Sequence, residues 1–354
     1  MKKAAALFIA LMVIFSLTAC GENEDASEPA EIEGCEVSMI ADSNEVESGS
    51  FTEKVWESVS QYALENSLGS ECFKPEDSTK KAYMNAIDTA VQQGAKLIVL
   101  PGSCFEETAY EAQKDYSDIY FLILDGIPHN DDNKYKTGAK TIGVVFAEEE
   151  AGYLAGYAAV KDGYSSLGFI GSEKTPEIKR YGYGFVQGAS AAAEENGTKI
   201  KLKYIYESKA ENTEKQADEW YKEGVETIFA CGSDTDTAVI KAAEANSGKV
   251  ICADSDKSYM SETVVTSAEK GVGAAVGDAI DGYSDDNFIG GTAFNYAVKN
   301  NGIMLEMKNA RFTSFDEEQY NAVMNRLKDG KVKLKKDENV KMVNEFENKW
   351  ISID

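Results

Sequence analysis

Apolar residues in this chain occur in two rhythms that alternate: short unbroken runs, and longer stretches with helical spacing. Val37-Ser38-Met39-Ile40-Ala41, Lys96-Leu97-Ile98-Val99-Leu100 and Tyr120-Phe121-Leu122-Ile123-Leu124 are of the first kind, with a shorter run at Cys72-Phe73. Runs without polar alternation suit strands buried on both faces, as in a parallel sheet. Between them, 52–65 carries Val55, Val59 and Ala63 at helical spacing, and 79–93 and 106–114 also read as helices.

After the polar, irregular stretch 130–140 the pattern restarts. Strands are predicted at 141–146, 167–170, 200–206, 227–230 and 250–253, with helices at 148–160, 177–195, 214–223 and 235–244 between them. Two successive βαβ series imply an α/β protein of two doubly wound, Rossmann-like lobes joined by a hinge. A single eight-fold barrel is the architectural rival, and the restart and the uneven helix lengths count against it. Placing the crossing at 130–140 assigns 35–138 plus about 258–285 to the first lobe, and 139–257 plus about 286–354 to the second.

Open sheets of this kind bind ligands beyond the carboxyl ends of their strands. The residues found there are Asp42-Ser43-Asn44, Pro101-Gly102-Ser103, Asp125-Gly126, Gly171-Ser172, Gly232-Ser233-Asp234 and Asp254-Ser255-Asp256. They form a set of short acceptors and flexible glycines, suited to a small polar solute.

The N-terminus changes the picture of where this happens. Lys2 and Lys3 precede an apolar run that ends in Leu17-Thr18-Ala19-Cys20, the pattern of a secretory signal over 1–19. The run is shorter than the ~20 residues needed to span a bilayer. Leu-Thr-Ala-Cys resembles the bacterial lipobox, whose cysteine is acylated, so Cys20 is expected to carry the lipid; an ordinary cleaved signal with a chance cysteine is the alternative. Residues 20–34 have almost no large apolar side chain and read as a flexible acidic tether. The chain is thus expected on the outer face of the cell membrane, held by lipid alone.

A net charge of -25 over 354 residues repels phosphate backbones, so nucleic acid is excluded as a partner. Beyond Cys20 there are Cys35, Cys72, Cys104, Cys231 and Cys252, with no CxxC pair to signal a metal. Export permits disulfides; Cys35 and Cys72 stand at the starts of the first two predicted strands and are the candidate bridge, unless all five are small buried hydrophobes.

Ser50-Phe51-Thr52 followed by Trp56 resembles the Ser-Phe-Asn…Trp signature of the basic membrane lipoprotein family. Further matches follow in order: Phe121 to Asp125, Phe146 with Glu149 and then Tyr153 to Gly156, Gly168 to Gly171 with Pro176, Asp254-Ser255-Asp256, and Thr266-Ser267-Ala268 with Lys270. They span nearly all of the chain after the tether. The family comprises type I ABC substrate-binding proteins, several of which capture nucleosides. The resemblance implies the type I periplasmic-binding-protein fold, a nucleoside ligand without a cofactor, and delivery to an ABC permease. It also implies site roles: Phe51 stacking on the base, Asp125 accepting ribose hydroxyls, Asp254 taking a polar group, Lys270 completing the site, and a second aromatic near Tyr206.

Two departures bear on the ligand. Thr52 stands where the family has Asn, and Ser233-Asp234-Thr235-Asp236 replaces a glycine-rich turn, adding carboxylates that disfavour an anion. Each residue also has a plainer reading: Phe51 as core, Asp125 and Asp254 as loop caps, Lys270 as a solvated helix residue, and Glu149 as a charge suited to a helix N-terminus. Trp56 shares the inward stripe of its helix.

Nothing in the chain has the pattern of a catalytic machine. His129 is the only histidine, it lies in the polar crossing, and there is no G-x-S-x-G elbow, P-loop or strand-following G-x-G-x-x-G. A binding protein is the expectation, either handing its ligand to a permease or signalling to a membrane sensor; a sugar or other solute is the alternative ligand.

Overall fold

The computed structural model describes residues 34–43, 46, 49–232 and 234–354. The signal, Cys20, the tether up to residue 33, Asn44 and Ser233 lie outside the described residues. In chain order the elements are β1 (Val37–Ile40), α1 (Phe51–Glu65), β2 (Ser70–Phe73), α2 (Lys80–Gln93), β3 (Leu97–Pro101), α3 (Glu106–Asp115), β4 (Tyr120–Leu124) and β5 (Thr141–Phe146). They continue with α4 (Glu148–Lys161), β6 (Ser166–Gly171), α5 (Pro176–Asn196), β7 (Ile200–Tyr206), α6 (Ala210–Lys222), β8 (Thr227–Cys231), α7 (Thr235–Asn246) and β9 (Lys249–Asp254). The last third holds β10 (Val264–Lys270), α8 (Val272–Ser284), β11 (Thr292–Tyr296), β12 (Ile303–Leu305), α9 (Glu317–Lys328) and β13 (Ile351–Ile353).

These strands form two separate sheets, so the barrel is ruled out. One sheet has the order β11-β5-β4-β3-β1-β2, the other β12-β10-β9-β8-β6-β7-β13. All neighbours are parallel except β12, which runs antiparallel to β10. The unbroken apolar runs lie in the sheet centres as expected: β1, β3 and β8 are buried along their whole length.

The strand order draws the lobe boundary elsewhere than the sequence pattern did. β5 pairs with β4 and so belongs to the first sheet, although residue 139 was expected to open the second lobe. β10 lies in the second sheet and β11 in the first, the reverse of the expected assignment. The chain therefore crosses between lobes at Ala147, at Gly271 and again between β11 and β12. Polarity misled here: the irregular 130–140 stretch is a surface loop of the first lobe. Just before it, His129 Nε2 lies 3.1 Å from Glu106 Oε2 and Nδ1 lies 2.8 Å from the Asn130 carbonyl.

The crossings deliver two helices with distinct packing. α4 lies against α5 at backbone distance, because Gly152, Gly156, Gly184 and Gly188 leave no side chain between them. A Cβ on Gly156 would sit 2.1 Å from the Phe185 carbonyl oxygen, and one on Gly188 would sit 2.0 Å from that of Tyr153. This fixes the start of α4 against the second sheet. α8 returns to the first lobe, where Gly277 meets the Tyr62 ring of α1.

The Cys35–Cys72 bridge is not formed; both thiols are free. Register explains it. Cys72 pairs with Met39, four residues beyond Cys35, which at ~3.3 Å per residue places the two sulfurs' backbones about 13 Å apart, well past disulfide reach. Cys35 Sγ instead donates to the Gln93 carbonyl at 2.9 Å.

Candidate functional site

The carboxyl ends of both sheets meet around Lys270. This lysine is the last residue of β10, one residue before the chain crosses at Gly271, and it is 4 % exposed. Its Nζ lies 2.8 Å from Asp125 Oδ2, 3.1 Å from Asp254 Oδ1 and 3.6 Å from Glu148 Oε1. Asp125 follows β4 of the first sheet, Asp254 ends β9 of the second, and Glu148 opens α4 directly after the first crossing. A single ammonium thus joins both lobes and a crossing segment.

Both aspartates have left-handed backbones, with φ of 55° at Asp125 and 69° at Asp254. Asp tolerates this region better than most residues, at some cost in strain. Three rings surround the ammonium: its Nζ is 5.6 Å from the Phe51 centroid, 5.6 Å from Tyr181 and 5.7 Å from Phe146. These are cation–π distances. The Tyr181 hydroxyl donates to Asp254 Oδ1 at 2.9 Å.

Burial alone would depress the Lys270 amine, but Asp125, Asp254 and Glu148 hold it well above the ordinary lysine value, so it stays charged. The carboxylates respond differently. Burial raises Asp125 despite Lys270, and burial pushes Glu148 up to about 7 against the pull of Lys270 and Arg180. Burial would raise Asp254 too, but Lys270 and the Tyr181 hydroxyl bring it below the usual aspartate value. The contrast has a visible cause: Asp254 accepts from two donors, whereas Asp125 Oδ1 is buried and has no hydrogen-bond partner among the described residues. Two groups hold the far side: Arg180 Nη1 lies 3.4 Å from Glu148 Oε2, and its Nε 3.0 Å from Asp337.

Asp254 opens onto a cavity of about 350 Å³ between the lobes. Its first-lobe wall is Asp42 and the segment Gly49 to Thr52; its second-lobe wall includes Gly232, Asp236, Ser255 and Tyr259. The local sequence builds the first wall: Ser50 caps α1 by accepting from the Glu53 N–H, which fixes Phe51 as the first helical residue. Thr52 lies on the buried stripe with Val55, Val59 and Ala63. Asp234 and Asp236 both line the cavity, and Lys257, which pairs with Asp236, is the lining cation. Ser255 Oγ donates to the Gly49 carbonyl at 3.0 Å, and Lys54 pairs with Glu269, tying the lobes beside the cavity. The volume suits a small ligand, and the lining is acid-rich.

The predicted residues therefore gather unevenly. Phe51, Thr52 and Asp254 line the cavity; Asp125 and Lys270 join it through Asp254. Tyr206 does not. It ends β7, a strand flanked by β13 near one margin of the second sheet, and lines a different groove with Tyr183, Tyr204 and Lys341, its hydroxyl 2.7 Å from that of Tyr204. Sequence reasoning also singled out Glu149, which turns to Lys336; its neighbour Glu148 is the one facing Lys270. The available signal was position, since Glu148 is the first residue of a helix entered from a strand end. Among the described residues, no group of three or more His, Cys, Asp and Glu side chains could hold a metal ion, and no helix is long and apolar enough to cross a membrane.

Residues 35–346 match the family model described as ABC transporter substrate-binding protein PnrA-like. The chain is 29 % identical over 325 residues to the ABC transporter nucleoside-binding protein BmpA of Lactococcus lactis, covering 85 % of this chain and 90 % of the relative. It is 28 % identical over 249 residues to basic membrane protein A of Borreliella afzelii, covering 69 % and 74 %. In fold it is similar to a solved ABC transporter solute-binding protein from Conexibacter woesei, with a TM-score of 0.70 at 16 % identity, covering 86 % of this chain and 99 % of that one.

Proposed function

The chain belongs to the PnrA-like family of ABC transporter substrate-binding proteins, and from that premise we propose that it is a lipid-anchored, extracytoplasmic receptor that binds a nucleoside between its lobes and passes it to an ABC permease. The observation that carries the ligand is the pairing of an aromatic face with an unsatisfied buried acceptor around one lysine. Phe51 offers a stacking surface at the cavity wall, and base stacking on an aromatic is worth ~1–3 kcal/mol without demanding one base. Asp125 Oδ1 lacks a donor among the described residues, and a ribose hydroxyl would supply one. Asp254 accepts a further hydroxyl or amine at the cavity.

The acid-rich lining favours a ligand without phosphate. The relative named as nucleoside-binding supports the same class. Lobe closure over the solute stabilises the bound state by the ligand's differential affinity for it, which gives a permease something to recognise. Binding without turnover is the role we assign. Calorimetry with adenosine, guanosine, inosine, uridine and cytidine tests the ligand class: micromolar or tighter binding of at least one supports it, and no binding by any removes it.

A further inference from the structure

Resting on that nucleoside reading, we infer that the ligand carries a positive charge on its base, with Asp42 of the first lobe and Asp234 of the second as the countercharges.

The charges that line the cavity do not balance. Among the described residues, four carboxylates line it, those of Asp42, Asp234, Asp236 and Asp254, against one ammonium, that of Lys257. Lys257 is committed to Asp236. Asp254 has the buried Lys270 at 3.1 Å, an ammonium shared with Asp125 and Glu148. Asp42 and Asp234 remain. Neither carboxylate has an ion pair or a hydrogen bond among the described residues, yet both residues are set in place by their main chains. The Ser78 and Tyr83 hydroxyls donate to the Asp42 carbonyl at 3.0 and 2.7 Å. The Ala238 N–H donates to the Asp234 carbonyl at 3.0 Å. Asp234 lies in the acidic segment that replaces a glycine-rich turn.

One uncompensated carboxylate on each wall couples ligand charge to lobe closure. Closing the lobes strips water from two like charges around one cavity, which costs free energy unless a cation enters between them. A neutral solute leaves that cost in place, whereas a positive base relieves it and is attracted to both lobes at once. The lining also supplies a surface for such a base. Phe51 presents its ring at the cavity wall, and that ring already lies at cation–π distance from an ammonium, Lys270 Nζ, at 5.6 Å. A flat base with a positive charge gains this attraction in addition to stacking. The sugar keeps the contacts with Asp125 and Asp254 proposed above.

Titrations of the full folded chain with methylated nucleosides of equal size and different charge test this. 1-Methyladenosine and 7-methylguanosine carry a positive base under mildly acidic conditions, whereas their isomers N6-methyladenosine and 1-methylguanosine are neutral. The cationic isomers should bind roughly 5- to 30-fold more tightly than the neutral ones, and added salt should narrow the gap. Asp42→Asn and Asp234→Asn keep the shape and lose the charge, and each should narrow the gap by about 3-fold or more. Asp118→Asn, at a fully exposed side chain elsewhere, should leave it unchanged. Cationic isomers that bind no more tightly than the neutral ones overturn the inference and leave the nucleoside reading standing, as does a gap that persists unchanged in both Asp42→Asn and Asp234→Asn. A parent that binds no nucleoside, methylated or not, overturns both.

Discussion

Lys270 Nζ lies 2.8 Å from Asp125 Oδ2, an ion pair that runs from the end of a second-sheet strand to the end of a first-sheet strand. With Asp254 and Glu148 on the same ammonium, one buried cation compensates carboxylates from both lobes. Removing it leaves those charges without a partner in a low-dielectric site. Lys270→Met should cost about 3–5 kcal/mol of stability, read by urea denaturation. A change under about 1 kcal/mol, the worth of an exposed pair, would show that the cluster does not hold the lobes.

Phe51 separates ligand contact from core packing. Its helix start is secured by the Ser50 cap, which Phe51→Ala leaves in place. The variant should lose ~1–3 kcal/mol of nucleoside affinity while its melting temperature stays within a few degrees. Collapse of the fold with the ring removed would make Phe51 a core residue.

Glu148 sets a pH dependence whose sign follows from burial. Its carboxyl is pushed up to about 7 in the folded chain, against ~4.3 when unfolded. Between those values the folded state binds the extra proton, so this residue's contribution to stability is full below about pH 4.3 and is lost as pH rises through about 7. Glu148→Gln keeps the shape and cannot ionise. The parent should therefore be more stable relative to this variant at pH 5 than at pH 8, by denaturation at both. An equal difference at the two values would mean that Glu148 is ionised throughout.

The α4–α5 contact offers a test away from the cavity. Gly156→Ala forces a methyl group against the Phe185 carbonyl oxygen, 2.1 Å from where its Cβ would lie. The helices must separate, and the expected cost is about 1–3 kcal/mol in chemical denaturation. An unchanged midpoint would show that the pair can slide apart freely.

Cysteine chemistry follows from the register of β1 and β2. Cys35, Cys72, Cys104, Cys231 and Cys252 should all titrate as free thiols in denatured, unreduced protein, and a reductant should leave the melting temperature unchanged. Two missing thiols would mean that a bridge forms.

Legibility in the sequence depended on how local each decision was. The strands buried on both faces showed themselves because every residue of β1, β3 and β8 faces core. β11 did not, because its residues from Thr292 to Asn295 are at most half-buried and it reads as loop; β12 and β13 have only three residues each. Lobe membership is a pairing choice: β5 and β10 look like their neighbours in composition, and only their hydrogen-bonded partners say which sheet they join. For the candidate site, Asp125, Asp254 and Lys270 are readable as strand-end residues in a familiar order, and the structure brings them together. Glu148 was hidden among three consecutive glutamates, and Tyr259 lies in a loop that carries no periodicity. Tyr206 rests on the resemblance alone, which implies a second aromatic there, but its strand is set toward the sheet's margin, away from the cavity.

A crystal structure of the protein soaked or co-crystallised with the tightest-binding nucleoside tests the central claim most directly. The base should lie against Phe51 in the cavity between the lobes, with ribose hydroxyls within hydrogen-bond distance of Asp125 and a polar group on Asp254. A ligand seated in the groove beside Tyr206, or one in the cavity with Asp125 Oδ1 still unpartnered, would contradict it.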